Sequence, residues 1–300
     1  MNMATPFAEK KINSNRLDRW MALILTLIGL VVCFSSKLST LVTLWRTDPL
    51  RSIGVLMPLA SLYFFYIKSK RIDWSQGTWW GLMPMAISVT WYWLMGEGAH
   101  FAGMISGHYL SISAAPTGVL LAVYLSGAVI LFGGLAAWRM LTFPILLWLF
   151  VNPVPSIFAV FDFQLQTIAA MVARGFAHMI SLPVEPGMLK MMFAPHLGMF
   201  IAPGCDGLRG MASMLCLSLI VGHHYQLTAR RHLVFIAISV LLAYLMNWVR
   251  LCLVVIYYWF ALRIDSISKL GTEIDYAMGG FVFFILAIFV FNYPRQFKTK

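Results

Sequence analysis

The chain has 300 residues, of which 60% are hydrophobic and only 11% are charged, and its mean hydropathy is +0.80. A soluble domain carries roughly 25% charged residues, so this composition excludes a soluble globular protein. The net charge of +11 comes from short basic clusters between apolar runs, which is typical of cytoplasmic loops rather than of a nucleic-acid surface. The sequence lacks the alternation of apolar and polar residues with a period of two that is typical of a transmembrane β-barrel. The composition therefore predicts an all-α, polytopic helical membrane protein whose partner is the lipid bilayer and not nucleic acid.

The apolar runs predict about eight transmembrane helices, because each approaches or exceeds the length that crosses a bilayer. The polar segment 1–19 precedes the first run without a small-residue cleavage site, so this run is interpreted as a retained span. In chain order, the predicted spans are Trp20–Ser36, Ile53–Ile67, Thr78–Met95, Thr117–Ala137, Met140–Val154, Gly207–Val221, Leu233–Leu262 and Tyr276–Phe291.

Three segments between the predicted spans have a different character. The weakly polar segment Gly96–Pro116 is predicted to be a long loop. In residues 156–185, polar side chains interrupt an apolar pattern. This pattern indicates a helix lying along the membrane–water interface, on the outer face of the membrane that the chain spans. Pro186 and Gly187 then form a turn dipeptide, and Met188–Ile201 is predicted to form a short hairpin or an extended stretch.

The distribution of lysine and arginine predicts the orientation of the chain in the membrane. With the N-terminus in the cytoplasm, eight spans place the basic clusters at 68–71, 138–139, 222–232 and 294–300 on the cytoplasmic side. This alternation holds only if residues 156–185 do not cross the membrane. Both termini are therefore predicted to be cytoplasmic.

The stretch around Cys205 carries the densest chemistry in the sequence. Cys205, Asp206 and Arg209 place a thiol, a carboxylate and a guanidinium within five residues, after the helix-breaking Pro203 and Gly204. On a helix, residues four apart share one face, and both a helix N-terminus and a nearby cation favour the nucleophilic thiolate. The alternative is a small buried cysteine beside an arginine that snorkels to the surface.

Two charged residues from other spans are predicted to lie at the same depth in the membrane as Cys205. Arg250 lies 17 residues beyond the inner start of span seven at Leu233, about 25 Å along a helix, and Asp275 lies at the outer mouth of span eight. Ionisable residues within membrane spans are functional candidates. The alternative is that Arg250 and Asp275 form a structural ion pair and that Cys205 is incidental.

Two further residues are predicted to support this site. Asn247 lies three residues before Arg250 on the same helix face, where it can orient the arginine, donate to an oxyanion, or simply hydrogen-bond a neighbouring helix. His196 is the histidine on the outer side that can serve Cys205 as a base, or it is a solvated loop residue. The four cysteines form no C-x-x-C pair, so the sequence predicts no zinc or other metal site and no organic cofactor.

Several motifs together resemble the exosortase/archaeosortase family. The stretch from Cys205 to Arg209 resembles the Cys-Ser-Gly-Leu-Arg motif of exosortases, and the stretch from Asn247 to Arg250 resembles their Asn-x-x-Arg motif. Residues 139–144 and 152–155 are similar to their Arg-x-x-x-Phe-Pro and Pro-x-Pro stretches. The match runs from about residue 138 to residue 291. The predicted domains are therefore a cytoplasmic segment 1–19, N-terminal transmembrane helices 20–137, an exosortase-like core 138–294 and a basic cytoplasmic tail 295–300.

The resemblance implies a membrane-embedded cysteine protease or transpeptidase of a bacterial inner membrane. It implies that the partner is an exported protein with a C-terminal sorting signal, made of a short motif, one transmembrane helix and a basic tail. Cleavage on the outer face would use Cys205 as nucleophile and Arg250 as the essential arginine. The chain departs from the family pattern twice, with Asp206 where the family has serine and Asp275 where it has histidine.

Two other functions remain open at this stage. The missing histidine favours a catalytically inactive membrane scaffold for surface-protein or exopolysaccharide export. A small-solute transporter is disfavoured, because the inner halves of the spans lack charges that would line a path through the membrane.

Overall fold

The computed structural model describes residues 9–48, 51–96, 100–105, 108–152, 159–185, 187–195, 197–201, 205, 207–264 and 270–297. The chain divides into two compact units, Met1–Pro153 and Val154–Lys300. Both units are built mainly from α-helices, and each contains one two-stranded antiparallel sheet. The prediction of an all-α membrane protein is confirmed.

The first unit packs four helices around aromatic and aliphatic side chains. Its core includes Phe34, Leu120 and Tyr124, which are almost fully buried. Its elements are α1 (Glu9–Thr47), α2 (Leu56–Ser69), α3 (Leu82–Met95), β1 (His100–Ile105), β2 (His108–Ser113) and α4 (Thr117–Leu146).

Helix α4 folds back on itself at Gly134. The backbone of Gly134 has φ +72°, a left-handed conformation that glycine adopts readily. Gly118, near the start of the helix, lies so close to the backbone of Trp148 that an added Cβ would be 2.5 Å from the Trp148 carbonyl oxygen. Because a straight helix would separate these two residues by about 45 Å, the chain must reverse near Gly134. The chain therefore reverses at Gly134, inside the predicted span four, rather than at the predicted break at residues 138–139 between spans four and five.

The second unit surrounds the long helix α7. Helices α6 and α8 pack against α7 through Met214, Phe235 and Val290, whereas α5 and the second hairpin pack on its other part through Ala173 and Val255. Its elements are α5 (Ala159–Met179), β3 (Lys190–Ala194), β4 (Leu197–Phe200), α6 (Leu208–His224), α7 (Ala229–Ala261) and α8 (Gly271–Asn292).

The structure corrects two parts of the predicted secondary structure. The predicted loop Gly96–Pro116 contains the hairpin of β1 and β2, in which His100 pairs with Ser113. The first helix continues to Thr47, eleven residues beyond the predicted end at Ser36, with a kink at Phe34. By contrast, the predicted hairpin at Met188–Ile201 is present as β3 and β4.

Five helical segments within the described part of the chain are long and apolar enough to cross a membrane. They are Ile24–Thr47, Ser52–Ser69, Thr117–Phe150, Ala229–Ala261 and Glu273–Arg295. Helix α3 has 14 residues and α6 has 17, so both are shorter than these five. Helix α5 lies where an interfacial helix was predicted, although it ends at Met179 rather than at residue 185. Its position along the membrane surface stays a prediction.

Candidate active site

A cavity of about 760 Å³ opens between β4 and helices α6, α7 and α8 of the second unit. Cys205, Arg250 and Asp275 all line this cavity, as do the supporting candidates Arg209 and Asn247. Three separate elements therefore bring the predicted thiol, guanidinium and carboxylate to one space. The two remaining candidates, His196 and Asp206, lie outside the described residues.

Arg250 and Asp275 form a bidentate ion pair between α7 and α8. Nη2 of Arg250 donates to both carboxylate oxygens, at 2.7 and 2.6 Å, and Nε donates to Oδ1 at 3.1 Å. The pair is only partly exposed, with 17% of the Arg250 side chain and 32% of the Asp275 side chain accessible. A planar guanidinium that binds a carboxylate in this way is held in a fixed orientation.

The Arg250 guanidinium and the Cys205 side chain line the same cavity and lie close enough to interact electrostatically. This arrangement places a fixed cation near the sulfur.

Asn247 holds the backbone of the Cys205 turn. Its Nδ2 donates to the Cys205 carbonyl oxygen at 2.9 Å. This hydrogen bond to the Cys205 turn differs from each of the roles that the sequence left open for Asn247. Gly207 makes this approach possible, because it has φ +93° and an added Cβ would lie 3.1 Å from Nδ2 of Asn247.

The relation between Cys205 and Arg209 differs from the predicted one. Helix α6 begins at Leu208, after the left-handed turn at Gly207, so Cys205 lies outside the helix. The spacing of four residues therefore does not place Cys205 and Arg209 on one helical face. Arg209 is an exposed residue in the first turn of α6 and reaches the same cavity.

Sequence reasoning missed two features of the cavity wall. Tyr258 lines the cavity with Arg250 and Val254, and the charge of Asp275 acts on it. The signal was present in the sequence, because positions 250, 254 and 258 recur at the helical spacing of four residues. Strand β4 also lines the cavity along its whole length, which no spacing rule indicates.

The glycines around the cavity serve different purposes. Gly207, Gly210, Gly279 and Gly280 line the cavity, and Asn247 approaches Gly207 closely. An added Cβ at Gly279 would make an ordinary contact with Arg250, at 3.6 Å from Nε. At Gly210 and Gly280 it would meet nothing within 4 Å, so these two glycines leave the cavity open rather than pack helices together.

The fold and the site together define a class of protein, namely a polytopic α-helical membrane protein with a cysteine and an arginine–carboxylate pair in one cavity. The chain matches the family model described as transmembrane exosortase over residues 45–293. It therefore belongs to the exosortase family, whose members are in general cysteine transpeptidases that take part in protein sorting and processing. No curated protein matches the chain, and no solved structure matches it.

Proposed function

We propose that this protein is a membrane-embedded cysteine protease or transpeptidase that cleaves the C-terminal sorting signal of exported proteins. The observation that carries the proposal is the placement of Cys205 and the Arg250–Asp275 ion pair in one cavity that is large enough for a peptide segment. Family membership supports the reaction class. The substrate would be a short motif followed by one apolar helix and a basic tail.

The proposed reaction begins when the Cys205 thiolate attacks the scissile carbonyl carbon. The thiol gives its proton to solvent when the thiolate forms. A C–S bond forms, and the negative charge that develops on the carbonyl oxygen is stabilised by N–H groups of Arg250. The C–N bond then breaks as the leaving amine takes a proton from solvent, and a thioester joins the substrate to Cys205. Water or an acceptor nucleophile resolves this thioester. Asp275 orients Arg250, and Asn247 orients the Cys205 turn.

We further propose that the protein crosses a bacterial inner membrane eight times, with both termini in the cytoplasm and Cys205 on the outer face. The alternation of basic clusters supports this orientation. The reversal at Gly134 supports two crossings within Thr117–Phe150. Helices α3 and α6 would supply the remaining spans.

A second function is favoured by one observation at the same site. Both carboxylate oxygens of Asp275 accept hydrogen bonds from Arg250, so this residue does not reproduce the proton transfer expected of a histidine. An inactive scaffold for surface-protein or exopolysaccharide export would need only the ion pair and no nucleophile.

Substitution of the cysteines separates the two functions. We expect Cys205→Ala to abolish processing of a secreted reporter fused to a sorting signal from the same genome, because it removes the sulfur nucleophile. The matched control changes Cys33, Cys216 and Cys252 together to Ala, and this variant should retain detectable processing. Immunoblots of the reporter and of the membrane-inserted enzyme provide the measurement. Undiminished processing by Cys205→Ala would favour the scaffold.

A further inference from the structure

Strand β4 forms one wall of the cavity that contains Cys205. All four residues of β4, Leu197–Phe200, line the cavity, whereas none of the residues of β3 does. Within the part of the chain that the structure describes, this sheet consists of β3 and β4. The cavity therefore lies beside the edge of β4 that does not pair with β3.

The register of the hairpin shows which backbone groups point to that edge. Ile201 N–H donates to the Leu189 carbonyl at 3.0 Å, so residues 189 and 201 form a hydrogen-bonded pair. Hydrogen-bonded and non-hydrogen-bonded pairs alternate along an antiparallel ladder. Since Phe200 pairs with Lys190 and Gly198 with Met192, the N–H and C=O groups of Phe200 and Gly198 point away from β3.

The opposite edge of the hairpin confirms this alternation and is already covered. Met192, the partner of Gly198, points its carbonyl away from β4 and accepts a hydrogen bond from Glu185 N–H at 3.0 Å. At the β4 edge, the backbone groups of Gly198 and Phe200 have no hydrogen-bond partner among the described residues. Phe200 itself is 59% exposed. An edge of this kind is a template for an added strand.

We propose that the substrate peptide binds as a third strand, paired with the free edge of β4 beside Cys205. This proposal rests on the proposed protease function and specifies how its substrate is held. In a helix, each backbone carbonyl accepts a bond from the N–H four residues later, so a scissile bond next to an apolar helix must be extended before attack. Pairing with Gly198 and Phe200 replaces the helical hydrogen bonds that this extension gives up.

Disulfide trapping tests the added strand. The enzyme carries Phe200→Cys together with Cys33→Ala, Cys205→Ala, Cys216→Ala and Cys252→Ala, so that uncleaved reporter accumulates and one thiol remains. Single cysteines are then scanned through the reporter segment that precedes its apolar helix. Directly opposed residues on paired strands have Cβ atoms about 4.5–5.5 Å apart, and successive side chains alternate between faces. We expect cross-links at alternate reporter positions.

Lys190→Cys provides the matched control in the same background. Lys190 pairs with Phe200 across the hairpin, so an added strand beyond β4 would lie two strand spacings away, about 10 Å. This distance exceeds what a disulfide bridges, and we expect no cross-link from Lys190→Cys. Cross-links from Phe200→Cys with a period of three to four residues, equal cross-links from both positions, or none from Phe200→Cys would overturn the proposal.

A proline substitution tests the backbone contact directly. Phe200→Pro removes the outward N–H but leaves the inner hydrogen bonds of the hairpin, and Phe200→Ala removes the ring but keeps the N–H. We expect at least tenfold slower processing by Phe200→Pro than by Phe200→Ala, with equal rates of Cys205 alkylation in both. Equal processing rates would contradict strand pairing. The cysteine mechanism fails by a different result, namely full processing by the Cys205→Ala enzyme, so the two failures are distinguishable.

Discussion

At the residue scale, the proposed chemistry requires that Asp275 holds Arg250 in place and that Arg250 lies near Cys205. The sequence predicted that these residues would meet, because charged positions near the outer ends of apolar spans come to the same level. It placed Cys205 and Arg209 on one helical face, whereas Gly207 takes a left-handed conformation and α6 begins only at Leu208. Tyr258 was missed because an aromatic residue in an apolar run gives no signal of its own.

Substitution of the ion pair tests the role of fixed orientation. We expect Arg250→Lys to lower the rate of reporter processing by roughly 100-fold, because lysine presents a point charge and cannot bind a carboxylate and a second acceptor in one plane. Asp275→Asn should lower the rate strongly as well, whereas Asp275→His should retain some activity because the family has histidine at this position. Processing rates in membranes measure these effects.

The control for this series is Glu273→Gln on the same helix. Glu273 lies in the first turn of α8, is exposed and does not line the cavity, so the loss of its charge should leave processing unchanged. An equal effect of Glu273→Gln and Asp275→Asn would mean that general charge, rather than the Arg250 contact, controls the rate.

At the element scale, the apolar runs predicted the helices well, but short or interrupted elements were harder to predict. The hairpin at 100–113 follows no clear polar and apolar alternation, so its pairing depends on the chain around it. The end of α1 was placed too early because Lys37 and several hydroxyl residues interrupt the apolar run, although Lys37 is buried beside the ring of Tyr92. The sequence predicted a break between spans four and five at residues 138–139, whereas the chain reverses at Gly134.

Replacement of Gly207 tests the turn that precedes α6. We expect Gly207→Ala to lower the thermal stability of the purified protein and to slow Cys205 alkylation, because alanine disfavours φ +93° and its Cβ would push Asn247 from the Cys205 carbonyl. The cost in unfolding free energy should be about 1–2 kcal/mol. The rate of alkylation by a membrane-permeant maleimide and the midpoint of thermal unfolding in detergent provide the measurements.

Gly175→Ala is the matched control for this substitution. Gly175 is an exposed residue of α5, and an added Cβ would meet nothing within 4 Å. Alanine is favoured over glycine within a helix by roughly 1 kcal/mol, so this variant should be at least as stable as the parent protein. Similar losses in both variants would mean that the turn at Gly207 has no special requirement for glycine.

At the scale of the whole molecule, the family match and the composition agree on a membrane protein with several apolar helices. The sequence predicted this class because 60% of its residues are hydrophobic and only 11% are charged. This is too few charged residues to form the water-exposed surface of a soluble protein. The division into units at Pro153 and Val154 was not predicted, since compactness depends on contacts between distant residues rather than on any local pattern.

Reporter fusions test the proposed orientation. We expect fusions after Arg71, His224 and Lys300 to report the cytoplasm, because lysine and arginine cluster around these points, and fusions after Gly107 and Ser268 to report the outer side. Paired alkaline phosphatase and green fluorescent protein fusions give opposite signals on the two sides. A cytoplasmic signal at Ser268 would move the start of α8, and with it Asp275, away from the outer face.

The central claim is that Cys205 forms a thioester with the substrate. The most direct measurement is mass spectrometry of the enzyme after rapid acid quenching of a reaction with the reporter. We expect an acyl adduct on the peptide that contains Cys205. Its mass increment should equal the mass of the reporter fragment preceding the cleavage site less one water, and neutral hydroxylamine should remove it. The control enzyme, Cys205→Ala, should carry no adduct. Product formation by the wild-type enzyme without any adduct on Cys205, or with an adduct that hydroxylamine does not remove, would contradict the account.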